Sequence, residues 1–130
     1  MPHLLLVDDD PEAIEWLSEL AKAEGFSVAT ADSLRAARIH MSRLQPDIML
    51  TDLQLPDGRG IELVSDLETR ASTEVVMITG HASVESAVEA LRLGAQGLRD
   101  GRRDGDGQLG VRRGGLRLGS VRGMLLIPAP

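Results

Sequence analysis

The stretch that decides the fold is His3-Leu-Leu-Leu-Val-Asp-Asp-Asp-Pro11. Its apolar part, His3 to Val7, is a short continuous run, which is typical of a strand buried on both faces of a sheet. Three aspartates end the run, and Asp10 followed by Pro11 has the form of a helix N-cap with proline at the first helical position. The stretch therefore predicts a buried strand that leads directly into a helix. Apolar residues then recur at helical spacing as far as Gly25, where the helix is predicted to end.

The same order of strand and helix repeats three more times before Ala95. Ser33 and Ser83 begin amphipathic segments, and Pro56-Asp-Gly58 is a turn before another one. Four consecutive strand-helix units imply a parallel sheet with helices on both faces and right-handed crossovers. The predicted fold class is therefore α/β, a doubly wound parallel sheet. Its second, third and fourth strands are predicted over residues 26–30, 48–50 and 75–78.

Chemistry in such a sheet gathers at the carboxyl ends of the strands. Those ends supply Asp8 and Asp9 from the first strand, Asp52 from the third and Thr79 from the fourth. Carboxylates within about 4 to 6 Å of one another repel, so one must take up a proton unless a cation joins them. Mg²⁺ prefers oxygen ligands and is the simplest such cation, and the sequence therefore predicts a magnesium site.

One carboxylate beside the metal can act as a nucleophile toward phosphorus and form an acyl phosphate. Asp52 is the candidate, because it stands alone at the end of the central strand. Asp8 and Asp9 are adjacent and are better placed to share the metal. Thr79 is then expected to donate a hydrogen bond to a phosphoryl oxygen.

Four blocks carry a resemblance to a known family. In order, the chain has Leu-Leu-Val-Asp8-Asp-Asp-Pro, then a block from Pro46 to Gly58, then Val-Val-Met-Ile-Thr79-Gly-His-Ala, then Leu-Gly-Ala95. These blocks resemble the receiver domain of two-component response regulators over about residues 3 to 95. The motifs Leu-Pro-Asp-Gly and Thr-Gly-His-Ala are most similar to those in receivers of regulators that drive enhancer-dependent transcription.

The resemblance implies a flavodoxin-like fold and a role for each acidic residue. Asp52 is expected to be the phosphoacceptor, and Asp9 and Asp52 to bind Mg²⁺ directly together with the backbone carbonyl of Gln54. Asp8 is expected to assist through water, and Thr79 to be the switch hydroxyl. The phosphate donor is expected to be a phosphohistidine on a sensor histidine kinase. A homodimer, or a heterodimer with a full-length regulator, is a further expected assembly.

The last part of the chain differs from the first in composition. Residues 1–96 contain 7 basic and 17 acidic residues and 5 glycines, whereas residues 97–130 contain 7 basic and 3 acidic residues and 9 glycines. We therefore expect a truncated receiver domain over residues 1–95 and a Gly/Arg-rich tail, irregular or disordered and without a credible strand or helix, over residues 96–130. A shifted reading frame near Gln96 is our hypothesis for this change. The fifth strand and fifth helix of the family are expected to be missing or abnormal.

This departure leaves a second function open. Aligned from Gly94, the aromatic switch residue, the lysine and the proline of the family fall on Leu98, Gly101 and Arg102. The alternative is therefore a non-functional or binding-only receiver fragment that does not signal. An aspartyl-nucleophile enzyme of the haloacid dehalogenase kind is disfavoured, because such enzymes need an aspartate where this chain has Gln54. At most, self-phosphorylation and self-dephosphorylation at Asp52 are expected.

Composition also bears on location and partners. The chain has no cysteine, which excludes disulfides and thiol catalysis, and its first apolar run is too short for a signal peptide. A cytoplasmic protein without a membrane partner is therefore expected. The arginines of the tail alternate with glycines and not with stacking aromatic residues, so no direct nucleic-acid binding is expected.

Overall fold

The predicted first strand and first helix are present, and each begins where the sequence indicates. The first strand, β1, spans His3–Val7, and the first helix, α1, spans Pro11–Ala23 with Asp10 as its N-cap. The structure, a computed structural model, describes residues 1–63, 73–79, 87–88, 91–92, 110–111 and 124–128. The further elements are β2 (Ser27–Ala31), α2 (Leu34–Arg43), β3 (Ile48–Asp52), β4 (Gln54–Leu55), β5 (Gly58–Arg59), β6 (Glu74–Thr79), β7 (Gly110–Val111) and β8 (Met124–Pro128).

Six of the described strands form one sheet in the order β2-β1-β3-β6-β8-β7, and every neighbouring pair in it is parallel. When the first five strands of this order are renumbered by their sequence along the chain, so that β6 becomes the fourth and β8 the fifth, the order reads 2-1-3-4-5. This is the flavodoxin-like arrangement of a doubly wound sheet. The predicted fold class is confirmed. The strand order reverses between β1 and β3, so a crevice is expected at their carboxyl ends.

Both faces of the sheet are covered, because side chains along each strand alternate between two cores. In β1, Leu5 and Val7 belong to the core shared with α2, whereas Leu4 and Leu6 belong to the core shared with α1. All four side chains are at most 1% exposed. This is why the run Leu4 to Val7 is continuously apolar.

The two described helices begin with the caps that the sequence predicts. The side chain of Asp10 accepts a hydrogen bond from the backbone N–H of Glu12, and that of Ser33 accepts one from Ala36. At the other end of α1, Gly25 has φ +95°, a conformation that costs glycine little. The second strand lies one residue further along the chain than predicted.

The tail contains strands, so the expectation that it has none is wrong. Met124–Pro128 lies parallel to β6, with Val75 opposite Met124 and Thr79 opposite Pro128. It takes the position of a fifth strand, about thirty residues beyond the Gly-Ala pair after which the family places it. The physical reason is local: Met-Leu-Leu-Ile is an apolar run, and the open edge of β6 offers unpaired backbone groups to it. The high glycine and arginine content of the tail as a whole conceals this short run.

Some predictions lie outside the described residues. The third helix is described only at residues 61–63 and the fourth only at 87–88 and 91–92, where the backbone is helical. Gly94, Leu98, Gly101 and Arg102 are not among the described residues, and the domain boundary near Ala95 stays a prediction. Among the parts of helices that are described, none has the length and apolar character needed to cross a membrane.

Candidate metal centre

The candidate site lies where the strand order reverses. Asp8 and Asp9 directly follow β1, and Asp52 is the last residue of β3. These strands are parallel neighbours with Val7 opposite Thr51. Asp8 follows Val7 and Asp52 follows Thr51, so the two aspartates lie at the same edge of the sheet. The backbone N–H of Asp8 donates to the carbonyl of Ala31 at 3.0 Å, which continues the pairing of β1 with β2 up to the site.

Three carboxylates meet at this edge. Asp8, Asp9 and Asp52 each offer one oxygen, and these oxygens all lie within 4.8 Å of one another. Asp8 and Asp52 are partly buried, whereas Asp9 is exposed. The structure therefore brings together the three acidic residues that the sequence singles out, from segments more than forty residues apart.

Electrostatics make this cluster unfavourable without a counter-charge. Partial burial raises the pKa of the Asp8 carboxyl, and the negative charges of Asp52, Asp9 and Asp10 raise it further. The backbone N–H of Asp10, which donates to Asp8 Oδ1 at 2.9 Å, acts in the opposite direction but does not reverse the shift. Oxygen donors with excess negative charge form the kind of site that Mg²⁺ and similar hard cations occupy. The donor set therefore fits the predicted metal.

The chain after Asp52 is held close to the site. The backbone N–H of Gly60 donates to the carbonyl of Leu53 at 2.9 Å, so the segment 53–60 returns to the strand from which it leaves. A Cβ atom at Gly60 would collide with the carbonyl oxygen of Asp52 and lie 2.9 Å from Thr51 Oγ1. Only glycine allows this close approach of two backbones.

Two further predicted site residues belong to other strands, β4 and β6. Gln54 is exposed and belongs to β4, which pairs with β5 in a short antiparallel hairpin. Thr79 is the last residue of β6, at the same end of the sheet as Asp52, and the position of its hydroxyl lies outside what the structure describes. The metal-ligand role of the Gln54 carbonyl and the switch role of Thr79 stay predictions.

One residue of this region has a role that its local sequence does not indicate. Asp57 is predicted only as part of a turn, whereas its carboxylate accepts hydrogen bonds from the backbone N–H groups of Leu34 and Arg35. These bonds lower the pKa of Asp57, with Leu34 contributing most. A contact across 22 or 23 residues leaves no local pattern, so no signal in one sequence would have found it.

The chain matches the family model of the response regulator receiver domain over residues 4–98. It is 34% identical over 95 residues to the photosynthetic apparatus regulatory protein RegA of Rhodovulum sulfidophilum, covering 72% of this chain and 52% of RegA. It is 37% identical over 92 residues to the response regulator PilR of Pseudomonas aeruginosa, covering 70% of this chain and 21% of PilR. The chain thus spans about half the length of RegA and about a fifth of PilR.

Solved structures agree with the sequence relatives. A CheY-like receiver domain from Methanospirillum hungatei superimposes with a TM-score of 0.59 at 28% identity, covering 72% of this chain and 76% of that one. The beryllofluoride-activated NtrC4 receiver domain superimposes with a TM-score of 0.57 at 32% identity, covering 71% and 77%. The predicted resemblance to receivers of transcription regulators is confirmed by relatives such as PilR, AtoC and DctD. From its topology, its acidic cluster and these relatives, the chain belongs to the response regulator receiver family.

Proposed function

We propose that this chain is the receiver of a two-component phosphorelay and accepts a phosphoryl group on Asp52 from a sensor histidine kinase. The observation that carries the proposal is the meeting of Asp8, Asp9 and Asp52 within 4.8 Å at the point where the strand order reverses. Membership of the receiver family supports the same conclusion, because receiver domains are signalling modules that interact with histidine kinases.

Asp52 is the proposed nucleophile because it ends the central strand β3. One of its carboxylate oxygens attacks the phosphorus of the kinase phosphohistidine. A phosphorus–oxygen bond forms, the phosphorus–nitrogen bond breaks with its electron pair going to the imidazole, and the product is an acyl phosphate. The imidazole nitrogen that is released takes up a proton from solvent.

Asp8, Asp9, Asp52 and the carbonyl of Gln54 would hold Mg²⁺ at this site. When bound, the ion would reduce the repulsion between the negative carboxylates and the negative phosphoryl group that approaches them. The protein's own contribution is to fix the carboxylates before the donor arrives, through the β1–β3 pairing and the close approach of Gly60 to the Asp52 carbonyl. This arrangement lowers the reorganisation needed for transfer.

Signal output is part of the proposal. We infer that the Thr79 hydroxyl donates to the phosphoryl group and that the surface of β6 and the following helix then changes. The NtrC4 receiver was solved as a beryllofluoride-activated dimer, and self-association or pairing with a full-length regulator is the corresponding proposal for this chain. A cytoplasmic location, where such a kinase domain would meet it, stays a prediction.

Phosphorylation by a small donor tests the proposal directly. The purified chain is incubated with acetyl phosphate and Mg²⁺, and its intact mass is measured. We expect a gain of one phosphoryl group that Asp52→Asn abolishes and that omission of Mg²⁺ suppresses. Asp32→Asn is the matched control, since Asp32 is exposed and follows the neighbouring strand β2 without belonging to the cluster.

The outcomes separate the possible functions. A phosphoryl gain in the wild type and in Asp32→Asn, but not in Asp52→Asn, supports the receiver function. Binding of Mg²⁺ without any gain in mass would instead support the binding-only alternative. A gain that persists in Asp52→Asn would show that another residue is the acceptor.

A further inference from the structure

The N-terminus of α2 is capped from two places in the chain. Ser33, the local N-cap, accepts from the backbone N–H of Ala36 at 3.0 Å through its hydroxyl, and its carbonyl accepts from Ala37 at 3.0 Å. The first two N–H groups of the helix, those of Leu34 and Arg35, donate instead to the carboxylate of Asp57 at 2.8 and 3.0 Å. The N–H groups of the first three helical residues, which have no partner within the helix, are therefore all satisfied by side chains, two of them by Asp57.

Asp57 lies at the tip of the hairpin that follows Asp52. In this hairpin Gln54 is opposite Arg59 and Leu55 is opposite Gly58. The tip sits directly against α2, because a Cβ atom at Gly58 would lie 2.6 Å from the Leu34 side chain. The segment between the strand end and the third helix is thus fastened to α2 by a bidentate carboxylate.

The hairpin has other anchors, two polar contacts at its base and one apolar contact nearer its tip. Gly60 donates to the Leu53 carbonyl, and the Arg59 N–H donates to Glu62 Oε2 at 2.9 Å. Leu55 is 8% exposed and packs in the core shared with α2. Among the described residues, Asp57 supplies the polar contacts between the hairpin tip and α2, and hydrogen bonds to an ionised carboxylate are stronger than those between neutral groups.

We propose that Asp57 is a positioning residue for the metal centre. By holding the hairpin tip on α2, it keeps Gln54 and the end of β3 in the arrangement that the cation requires. This inference rests on the proposed function, because it presumes that a cation binds at the cluster of Asp8, Asp9 and Asp52. Asp57 itself is not a member of that cluster.

The test compares two ways of uncapping the same helix. Asp57→Ala removes both hydrogen bonds between the hairpin tip and α2, whereas Ser33→Ala removes a hydrogen bond at the same helix start and leaves those two in place. Mg²⁺ affinity is measured by calorimetry, and the fraction folded is checked by circular dichroism. We expect the Kd for Mg²⁺ to rise about 10-fold in Asp57→Ala, in line with the loss of groups that orient metal ligands. In Ser33→Ala we expect it to change less than about 2-fold, because the hairpin stays attached to α2.

A second measurement reports on the hairpin without any metal. Hydrogen exchange of the Gly60 amide, which donates to Leu53, is expected to speed up in Asp57→Ala and to stay unchanged in Ser33→Ala. Asp57→Asn keeps one acceptor oxygen and is expected to give intermediate values of both quantities. It also serves as the test variant should Asp57→Ala fail to fold.

The results distinguish this inference from the proposed function. Equal Mg²⁺ affinity in the wild type, Asp57→Ala and Ser33→Ala would overturn the positioning role and leave the receiver function intact. Equal hydrogen-exchange rates of the Gly60 amide in the three proteins would overturn the positioning role as well. Failure of the wild type to bind Mg²⁺ would overturn the proposed function, and the positioning role with it.

Discussion

Asp57 Oδ1 accepts a hydrogen bond from the backbone N–H of Leu34 at 2.8 Å, across 23 residues of chain. The contact joins the segment that follows β3 to the start of α2, and the second oxygen of the same carboxylate accepts from Arg35. It makes the carboxylate part of the folded structure although the side chain is exposed.

The pH dependence of stability should reveal this contact. The hydrogen bonds from Leu34 and Arg35 hold the pKa of Asp57 below its ordinary value of 3.8, and Arg38 adds a smaller effect in the same direction. A carboxyl group whose pKa is lower in the folded state stabilises the protein above its unfolded pKa and loses that effect as pH falls through the folded pKa. We therefore expect the stability difference between wild type and Asp57→Ala to be constant from pH 7 to about 4 and to shrink below it.

Urea unfolding at a series of pH values measures this difference. Ser33→Ala is the control, because its hydroxyl does not titrate and its effect should be the same at every pH. A difference between wild type and Asp57→Ala that stays unchanged down to pH 3 would show that the carboxylate charge contributes nothing to the helix start.

Removing one charge from the acidic cluster should stabilise the metal-free protein. Asp8→Asn relieves repulsion with Asp52 and Asp9, and we expect the free energy of unfolding in EDTA to rise by at most about 1 kcal/mol, since partly exposed charges are screened by solvent. In Mg²⁺ we expect the wild type to be more stable than Asp8→Asn. The wild type gains about 2.7 kcal/mol when free Mg²⁺ is a hundred times its Kd.

Thermal or urea unfolding in EDTA and in Mg²⁺ checks both halves of this prediction. Asp32→Asn, outside the cluster, should respond to Mg²⁺ as the wild type does. If Asp8→Asn gains as much stability from Mg²⁺ as the wild type, Asp8 does not take part in the site.

Gly60→Ala should damage the site as well as the fold. The new methyl group collides with the Asp52 carbonyl oxygen and crowds Thr51 Oγ1, and the backbone there cannot yield as a flexible side chain would. We expect a loss of about 1 to 3 kcal/mol in unfolding free energy, as for other overpacked sites, together with weaker Mg²⁺ binding.

Gly25→Ala is the matched control for this glycine. Gly25 has φ +95° and nothing within 4 Å of the position of a Cβ atom, so alanine costs conformational energy but meets no neighbour. We expect a loss of about 1 kcal/mol with unchanged Mg²⁺ affinity. Equal Mg²⁺ affinity in the two variants, both folded, would contradict the role assigned to the close approach at Gly60.

Removal of β8 should uncover the edge of β6. A chain ending at Gly123 loses the five residue pairs between Met124–Pro128 and β6. We expect its unfolding free energy to fall by about 2 to 6 kcal/mol, for about four ladder hydrogen bonds at roughly 0.5 to 1.5 kcal/mol each, and the exposed edge to promote self-association.

Size-exclusion chromatography with light scattering, together with urea unfolding, measures both effects. A chain ending at Pro128 keeps β8 and is the control. If the two truncated chains have the same stability and the same mass in solution, the strand at Met124–Pro128 does not contribute to the fold.

Much of the fold follows from local sequence. The continuous apolar run of β1 and the caps at Asp10 and Ser33 each depend on residues within a few positions. These elements can therefore be predicted from a single sequence. The acidic cluster was also predictable, because Asp8, Asp9 and Asp52 end parallel strands and such ends meet at one edge. The strand at Met124–Pro128 was missed because the composition of the whole tail concealed one short apolar run.

The sequence by itself determined the strands β1, β2, β3 and β6, the helices α1 and α2, and which acidic residues stand at the strand ends. Only the tertiary structure decided that Asp57 caps a helix that begins 23 residues earlier, that Gly60 approaches the carbonyl of Asp52, and that the edge of β6 receives a strand from the tail. The physical reason is the range of the interactions. Caps and apolar periodicity act within a turn or two of chain, whereas these three contacts exist only after the sheet has brought distant segments together.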